Sequence, residues 1–463
     1  MGERELVGIA GLVVFFVLLM LRMPVGLAML AVGIGGNYAI SLVAPFLRFE
    51  PYLRGFKTLT WSTMASYELS VVPLFVLMGL LASHARLSRD LFNGVNALVG
   101  RLRGGVAIAA IGACAGFGAV SGSSLATAST MGRVALPELK RLRYDDRLAT
   151  GSLAAGGTLG ILIPPSIALV IYAIIVEASI IEMFQAAIVP GVIAVAGFAL
   201  TIAVLVRVNP GLAPEVWQPA QPERRRAVLR LIPVAVIFGA IILGLGLGLF
   251  TPTPAAAVGA GLVLIYGIGL QLVTGDGLTL ERIKASLLET AITSAMIYFI
   301  LFGAEVLKGF FTRANLPTAL ADWAVSSGLD PWTILILMLI ALIVLGCFME
   351  SLAMILVVVP FFWPALVQLN GGEYAFGDSA AFGMDSDQLR IWFGILALVV
   401  VELGLITPPV GLNVFIIASL ARGVSMGTIF RGVAPFFGAE IVRVALILMF
   451  PALALWLPAL LSG

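Results

Sequence analysis

Charge is what this chain has least of. Its 463 residues include only 27 Lys and Arg and 25 Asp and Glu, so 11% are charged against 60% hydrophobic. A water-soluble surface needs roughly a quarter of the chain charged, so a globule in water is excluded. The net charge of +2 gives no broad field for nucleic acid, which is not an expected partner. There is one histidine, His84, so a histidine-built metal centre is excluded; its place beside Arg86 and Arg89 suits a membrane boundary. The two cysteines, Cys114 and Cys347, lie inside apolar runs and read as packing residues rather than a disulfide. No Walker loop, Gly-x-Ser-x-Gly elbow or His-Glu-x-x-His pair occurs, so neither a nucleotide-driven motor nor a hydrolase is expected, and no cofactor.

What the chain has instead is apolar length. Mean hydropathy is +1.10, and runs of helix-spanning size fall at 6–21, 25–44, 69–84, 147–176, 181–206, 231–250, 254–273, 286–306, 388–420 and 433–460. The residues before the first run, Met1-Gly-Glu-Arg-Glu, lack the basic character of a signal peptide, so that run is expected to stay as a span. Two further stretches, 104–136 and 332–369, are too long for one crossing and carry small or polar residues near their middles. They read as re-entrant hairpins, which are tolerated at membrane depth only when buried in protein or lining a cavity. The expected fold is an all-α polytopic membrane protein with about ten spanning helices and two re-entrant hairpins. With both termini placed outside the cytoplasm, 19 of the 27 basic residues fall on the cytoplasmic side and seven opposite, with Arg443 inside a span. Basic residues flank the first hairpin, which opens to the cytoplasm; the acidic loop 370–388 follows the second, which opens outward.

The halves repeat. Gly160-Ile-Leu-Ile-Pro-Pro165 recurs as Gly404-Leu-Ile-Thr-Pro-Pro409, and Ser124-Leu-Ala126 recurs as Ser351-Leu-Ala353. The order of span, hairpin, Pro-Pro-broken span and closing span occurs twice, starting on opposite sides of the membrane. That divides the chain into 1–68 (N-terminal scaffold helices and an interfacial segment), 69–209 (first repeat), 210–230 (cytoplasmic linker) and 231–463 (second half). The hairpin and broken helix are 104–136 and 147–176 in the first repeat, and 332–369 and 388–420 in the second half. Inverted repeats with paired broken helices are a mark of secondary transporters. A proline pair removes backbone donors and frees the preceding carbonyls to meet a cation.

Several side chains fit such a site. The first hairpin crowds Ser121, Ser123, Ser124, Thr127, Ser129 and Thr130 around glycines that allow a tight turn. Hard oxygens without a carboxylate cage suit a monovalent cation better than calcium. Glu350 interrupts an apolar stretch just before Ser351; it could bind a cation, carry a proton or hold a turn together. Glu402 and Glu177 have weaker contexts. Arg313, near the outer end of its span, is either an interfacial anchor or a planar fork for a substrate carboxylate.

The motifs Gly118-Ala-Val-Ser-Gly-Ser-Ser-Leu-Ala-Thr-Ala, Ala135-Leu-Pro-Glu-Leu-Lys, Gly157-Thr-Leu-Gly-Ile-Leu-Ile-Pro-Pro-Ser166 and Leu405-Ile-Thr-Pro-Pro-Val-Gly-Leu-Asn-Val-Phe415 resemble one family over nearly the whole chain. It is the large membrane subunit of the tripartite ATP-independent periplasmic (TRAP) transporters. The resemblance implies an elevator mechanism and sodium coupling. It implies as partners a small four-span membrane subunit, a periplasmic binding protein, membrane lipid and a small carboxylate substrate, and as location the bacterial inner membrane with both termini periplasmic. Carried onto this chain, it places sodium ligands at Ser121, Ser123 and Gly157 in one half and Ser351, Gly404 and Thr407 in the other. It places substrate contacts at Ser123, Ser124, Ser166, Arg313 and Glu350. Glu350 stands where many members have Asp. The rival expectations are a proton-coupled carrier or exchanger working without a binding protein, with Glu350 titrating, and a passive channel.

Overall fold

A computed structural model describes residues 2–214, 225, 227–246 and 248–461. Among these the ordered elements are helices, with no strand. The linker signals at Pro219, Pro222, Arg224 and Arg226 lie outside the described residues.

The chain begins with two apolar helices, α1 (Glu3–Met20) and α2 (Val25–Val43). The amphipathic α3 (Phe49–Met64) follows, then α4 (Val71–His84), extended at its start by a short turn, Glu68–Ser70. α5 (Leu87–Val99) leads into the first hairpin, α6 (Gly105–Ser121) and α7 (Ser124–Arg141). The first broken span is α8 (Asp146–Gly157), α9 (Leu159–Leu162) and α10 (Ile167–Val176), bent by 45° at its proline pair. α11 (Ile180–Val208) closes the repeat. α12 (Leu231–Gly246) and α13 (Pro252–Thr274) open the second half, followed by the long α14 (Leu280–Arg313) and short α15 (Leu316–Ser326). The second hairpin is α16 (Pro331–Gly346) and α17 (Ser351–Leu369); the second broken span is α18 (Ser386–Gly404) and α19 (Leu412–Leu420). α20 (Met426–Met449) and α21 (Ala452–Leu461) end the chain.

Among the described residues, seven helices are long and apolar enough to cross a membrane, or nine if each bent pair is one span. The sequence expectation was about ten. Two of the expected spans fall short on charge: α1 carries Glu3, Arg4 and Glu5, and α18 carries Asp387, Arg390 and Glu402. The expected single span 433–460 is instead two helices, because Pro451 cannot donate to the helical ladder and α20 stops at Met449.

The repeat is visible in the caps as well as in the breaks. Asp145 starts the first broken span by accepting the Arg147 amide, and Asp385 starts the second by accepting Gln388 N–H. Ser179 and Ser425 start the two closing helices, accepting from Glu182 and Thr428. Each hydroxyl or carboxylate satisfies an amide that the first turn of a helix leaves unpaired. The repeats also interlock: α10 packs on the second hairpin through α17, and α19 packs on the first hairpin through α7. Both hairpins meet their own broken span at a glycine–glycine crossing. A Cβ built on Gly118 would lie 2.6 Å from the Gly160 Cα, and one on Gly404 would lie 2.5 Å from the Gly346 Cα. Around this double core, α2 and α13 pack on α14 and α4. Exposed apolar side chains such as Leu200, Leu272 and Val273 face outward, as a lipid-facing perimeter requires.

Candidate functional site

Both hairpin tips and the facing helices α4 and α14 enclose one cavity of about 320 Å³. Ser121, Ser123, Ser124, Glu350 and Ser351 line it, with Ser83 of α4 and Thr293 of α14 opposite. The spacing of the two tips in the chain gives no hint of this meeting; the interlocked repeats create it.

The first tip is built for exposed oxygens. Helix α6 ends at Ser121, Gly122 takes the left-handed conformation at φ +58° that favours glycine, and Ser123 caps α7 by accepting the Ala126 amide at 3.4 Å. The Ser121 hydroxyl lies 2.9 Å from the Thr127 hydroxyl and 3.4 Å from the carbonyls of both Gly118 and Ser123. Two hydroxyls and two carbonyls thus cluster without a carboxylate, a donor set that suits a cation of single charge. Gly160 closes the cluster from below: a Cβ there would come within 2.5 Å of the Thr127 hydroxyl and 2.6 Å of the Ser123 carbonyl. Only a glycine admits that approach.

The second tip differs. The chain turns through 347–350 into α17, whose N-cap position is Glu350, and the Glu350 side chain makes no capping bond. Ser351 is the only hydroxyl at this tip, and it donates to Oε1 of Glu402 at 2.7 Å. Ser124 of the first tip donates to Oε2 of the same carboxylate at 2.5 Å. Glu402 is 1% exposed and sits two residues before Gly404 in the second broken span.

The remaining residues expected at the site lie elsewhere. Ser166 is buried just behind the first tip, where it caps α10 by accepting the Leu169 amide. Gly157 packs against Ala128 and Asn413, and Gly404 against Gly346; both are helix contacts rather than cavity lining. The Thr407 hydroxyl is spent inside its own turn, donating to the Leu403 carbonyl at 2.6 Å. Arg313 stands apart from the cavity, because its guanidinium stacks over Tyr52 at 5.2 Å and donates to the Arg48 carbonyl at 3.1 Å.

Two residues gain weight that sequence reading did not give them. Glu402 registers there as a candidate with a weaker context than Glu350. Asn413, inside the second proline-pair motif, is fully buried; its Nδ2 donates to the Ala154 carbonyl, and its Oδ1 has no hydrogen-bond partner among the described residues. At the base of the first hairpin, outside the spanning segments, the Tyr144 hydroxyl accepts the Val106 amide, and burial pushes its phenol above the ordinary range.

Comparison with known proteins fits this architecture. Residues 12–453 match the family model described as the DctM component of the tripartite ATP-independent periplasmic transporter. The chain is 33% identical over 433 residues to the C4-dicarboxylate TRAP transporter large permease protein DctM of Pseudomonas aeruginosa, covering 92% of this chain and 93% of that protein. It is 30% identical over 400 residues to the sialic acid TRAP transporter large permease protein SiaM of Vibrio cholerae, covering 86% and 88%. Among solved structures, the fold is similar to the YdaH transporter of Alcanivorax borkumensis, with a TM-score of 0.57 at 14% identity over 86% of this chain and 88% of that one.

Proposed function

The chain belongs to the DctM component family of the tripartite ATP-independent periplasmic transporters, and from that premise we propose that it carries a small organic acid across the bacterial inner membrane by sodium-coupled, elevator-type uptake. Its relatives are permeases rather than enzymes. A periplasmic binding protein delivers the substrate, and a small four-span subunit shares the membrane with this chain. The observation that carries this reading is the single cavity that holds both hairpin tips against α4 and α14. Oxygens at Ser121, Thr127, Gly118 and Ser123 would hold the coupling ion, and the Ser123 hydroxyl would face the carboxylate.

The cavity lies along Val76–Ser83 of α4, toward the end beside Arg86 and Arg89 on the side assigned to the cytoplasm, and along Thr293–Ile300 at the middle of α14. We read the conformation as inward-facing, with both termini periplasmic. Ile300 lines the cavity and Arg313 stands thirteen residues further along α14, about 20 Å at 1.5 Å per residue. In this reading Arg313 reaches a substrate carboxylate only when the hairpins have slid to the outer position.

The test is uptake of radiolabelled succinate and sialic acid into proteoliposomes containing this chain and its small subunit, with the cognate binding protein added outside. An inward sodium gradient should drive uptake of one substrate, and omission of the binding protein should abolish it. A proton-coupled carrier is the second reading. It is favoured by Glu350, which lines the cavity without a hydrogen-bond or ion-pair partner among the described residues. Uptake driven by a proton gradient alone and lost in Glu350→Gln would select it.

A further inference from the structure

Glu402 joins the two hairpin tips through side-chain hydrogen bonds. Its two carboxylate oxygens are divided: Oε2 accepts from Ser124, 278 positions away in the first repeat, and Oε1 accepts from Ser351, 51 positions away in the second hairpin. Both donors are the first residues of their helices, α7 and α17. The carboxylate therefore faces two helix starts at once, where unpaired amides and the helix dipole favour negative charge. It does so while 1% exposed, and Ser124 and Ser351 are 2% and 1% exposed. A hydrogen bond in such a dry setting is strong when made and costly when lost. The repeat itself supplies no counterpart. The position matching Glu402 in the first proline-pair motif is Thr158, whose hydroxyl is bonded within its own helix, to the Ala155 carbonyl. One carboxylate thus serves both tips.

We propose that Glu402 is a positioning residue that clasps the two hairpin tips, so that the half-sites contributed by the two repeats become ordered, and loosen, together. Through this clasp, a ligand that immobilises the first tip also holds Ser351, and beside it Glu350, in place at the second. The inference rests on the proposed transport site for its purpose, but the clasp itself can be tested without any ion.

The experiment is amide hydrogen exchange on the purified chain in choline and then in sodium, for wild type, Ser124→Ala, Ser351→Ala, Glu402→Gln and Glu402→Leu. In choline, Ser351→Ala should speed exchange several-fold across 122–127, in the other repeat, and Ser124→Ala should do the same across 350–354. In the Glu402→Leu background, a second change to Ser351→Ala should add nothing at 122–127. Glu402→Gln keeps the length and one acceptor, and should restore part of the cross-tip coupling. If Glu402→Leu does not fold, the two serine variants and Glu402→Gln still decide the matter. Exchange that rises only at the tip that was mutated overturns the clasp. In sodium, the wild type should be protected at both tips and Glu402→Leu at the first alone. A wild type indifferent to sodium would remove the sodium-coupled reading while leaving the choline result to judge the clasp.

Discussion

The first hairpin turns through Ser121, Gly122 and Ser123, pairs the Ser121 and Thr127 hydroxyls with each other and sends that of Ser124 to Glu402, whereas the second turns through Phe348, Met349 and Glu350 and has only the Ser351 hydroxyl, which goes to the same carboxylate. The broken spans behind them differ as well. Pro164 and Pro165 are buried, and Ser166 caps the next helix; Pro408 and Pro409 are exposed, and the next helix starts at Gly411 with φ +59° and no side-chain cap. Both closing helices contain an internal proline, Pro190 and Pro435, but only the second holds a buried ion pair, Glu440 with Arg443. An inverted repeat fixes where the chain turns and leaves the chemistry at each turn free. Here the oxygen cluster belongs to the first repeat, and the most deeply buried charged residues, Glu402, Glu440 and Arg443, belong to the second.

The largest effect expected is at those buried charges. Arg443→Leu leaves the Glu440 carboxylate in the core without its partner, and removing one member of a buried pair costs about 3–5 kcal/mol. Thermal unfolding should show a large loss of stability, most of it recovered when Glu440→Leu is added. Next come the two glycine crossings, which sharpen the comparison because they are equally tight. Gly160→Ala and Gly404→Ala should each cost about 1–3 kcal/mol by overpacking. Gly160→Ala should in addition abolish any sodium-dependent stabilisation, because its Cβ meets the Thr127 and Ser123 oxygens; Gly404→Ala should keep it, because its Cβ meets Gly346 and the Ile343 carbonyl, away from the first tip. Equal sodium responses in the two variants would break the asymmetry.

Smaller effects separate the tips by their hydroxyls. Ser121→Ala removes one oxygen of the cluster and should weaken sodium binding by up to roughly tenfold, about 1–1.5 kcal/mol, measured as a shift in the sodium midpoint. Thr407→Ala removes a hydroxyl already bonded to Leu403 and should change stability by about 0.5 kcal/mol or less, with the sodium midpoint unmoved.

The hairpins and broken spans are legible in the sequence because glycines, serines and proline pairs interrupt apolar runs that would otherwise continue as helices. The first tip is legible for the same reason: its hydroxyls lie within seven residues, and a tight turn must bring them together. What depends on distant pairing is not legible. Glu402 stands far along the chain from Ser124, and only the swapped packing of α19 on α7 and α10 on α17 brings the tips to one carboxylate. Matching positions in the two repeats also have different surroundings. Thr407 and Gly404 occupy positions matching parts of the first motif, yet one is bonded within its turn and the other is a packing contact. Arg313 illustrates a further limit of sequence, since its guanidinium is held by Tyr52 and the Arg48 carbonyl, thirteen residues along α14 from the cavity-lining Ile300.

The central claim is that the first tip is the cation-selective half of a shared cavity. The most direct test is the thermal stability of the purified chain in sodium, potassium, lithium and choline at equal ionic strength. A ligand at a hundred times its dissociation constant stabilises by about 2.7 kcal/mol. The account predicts a saturable, sodium-selective rise that Ser121→Ala diminishes and Thr407→Ala preserves. A rise of the same size in every cation, or one that survives Ser121→Ala unchanged, would contradict it.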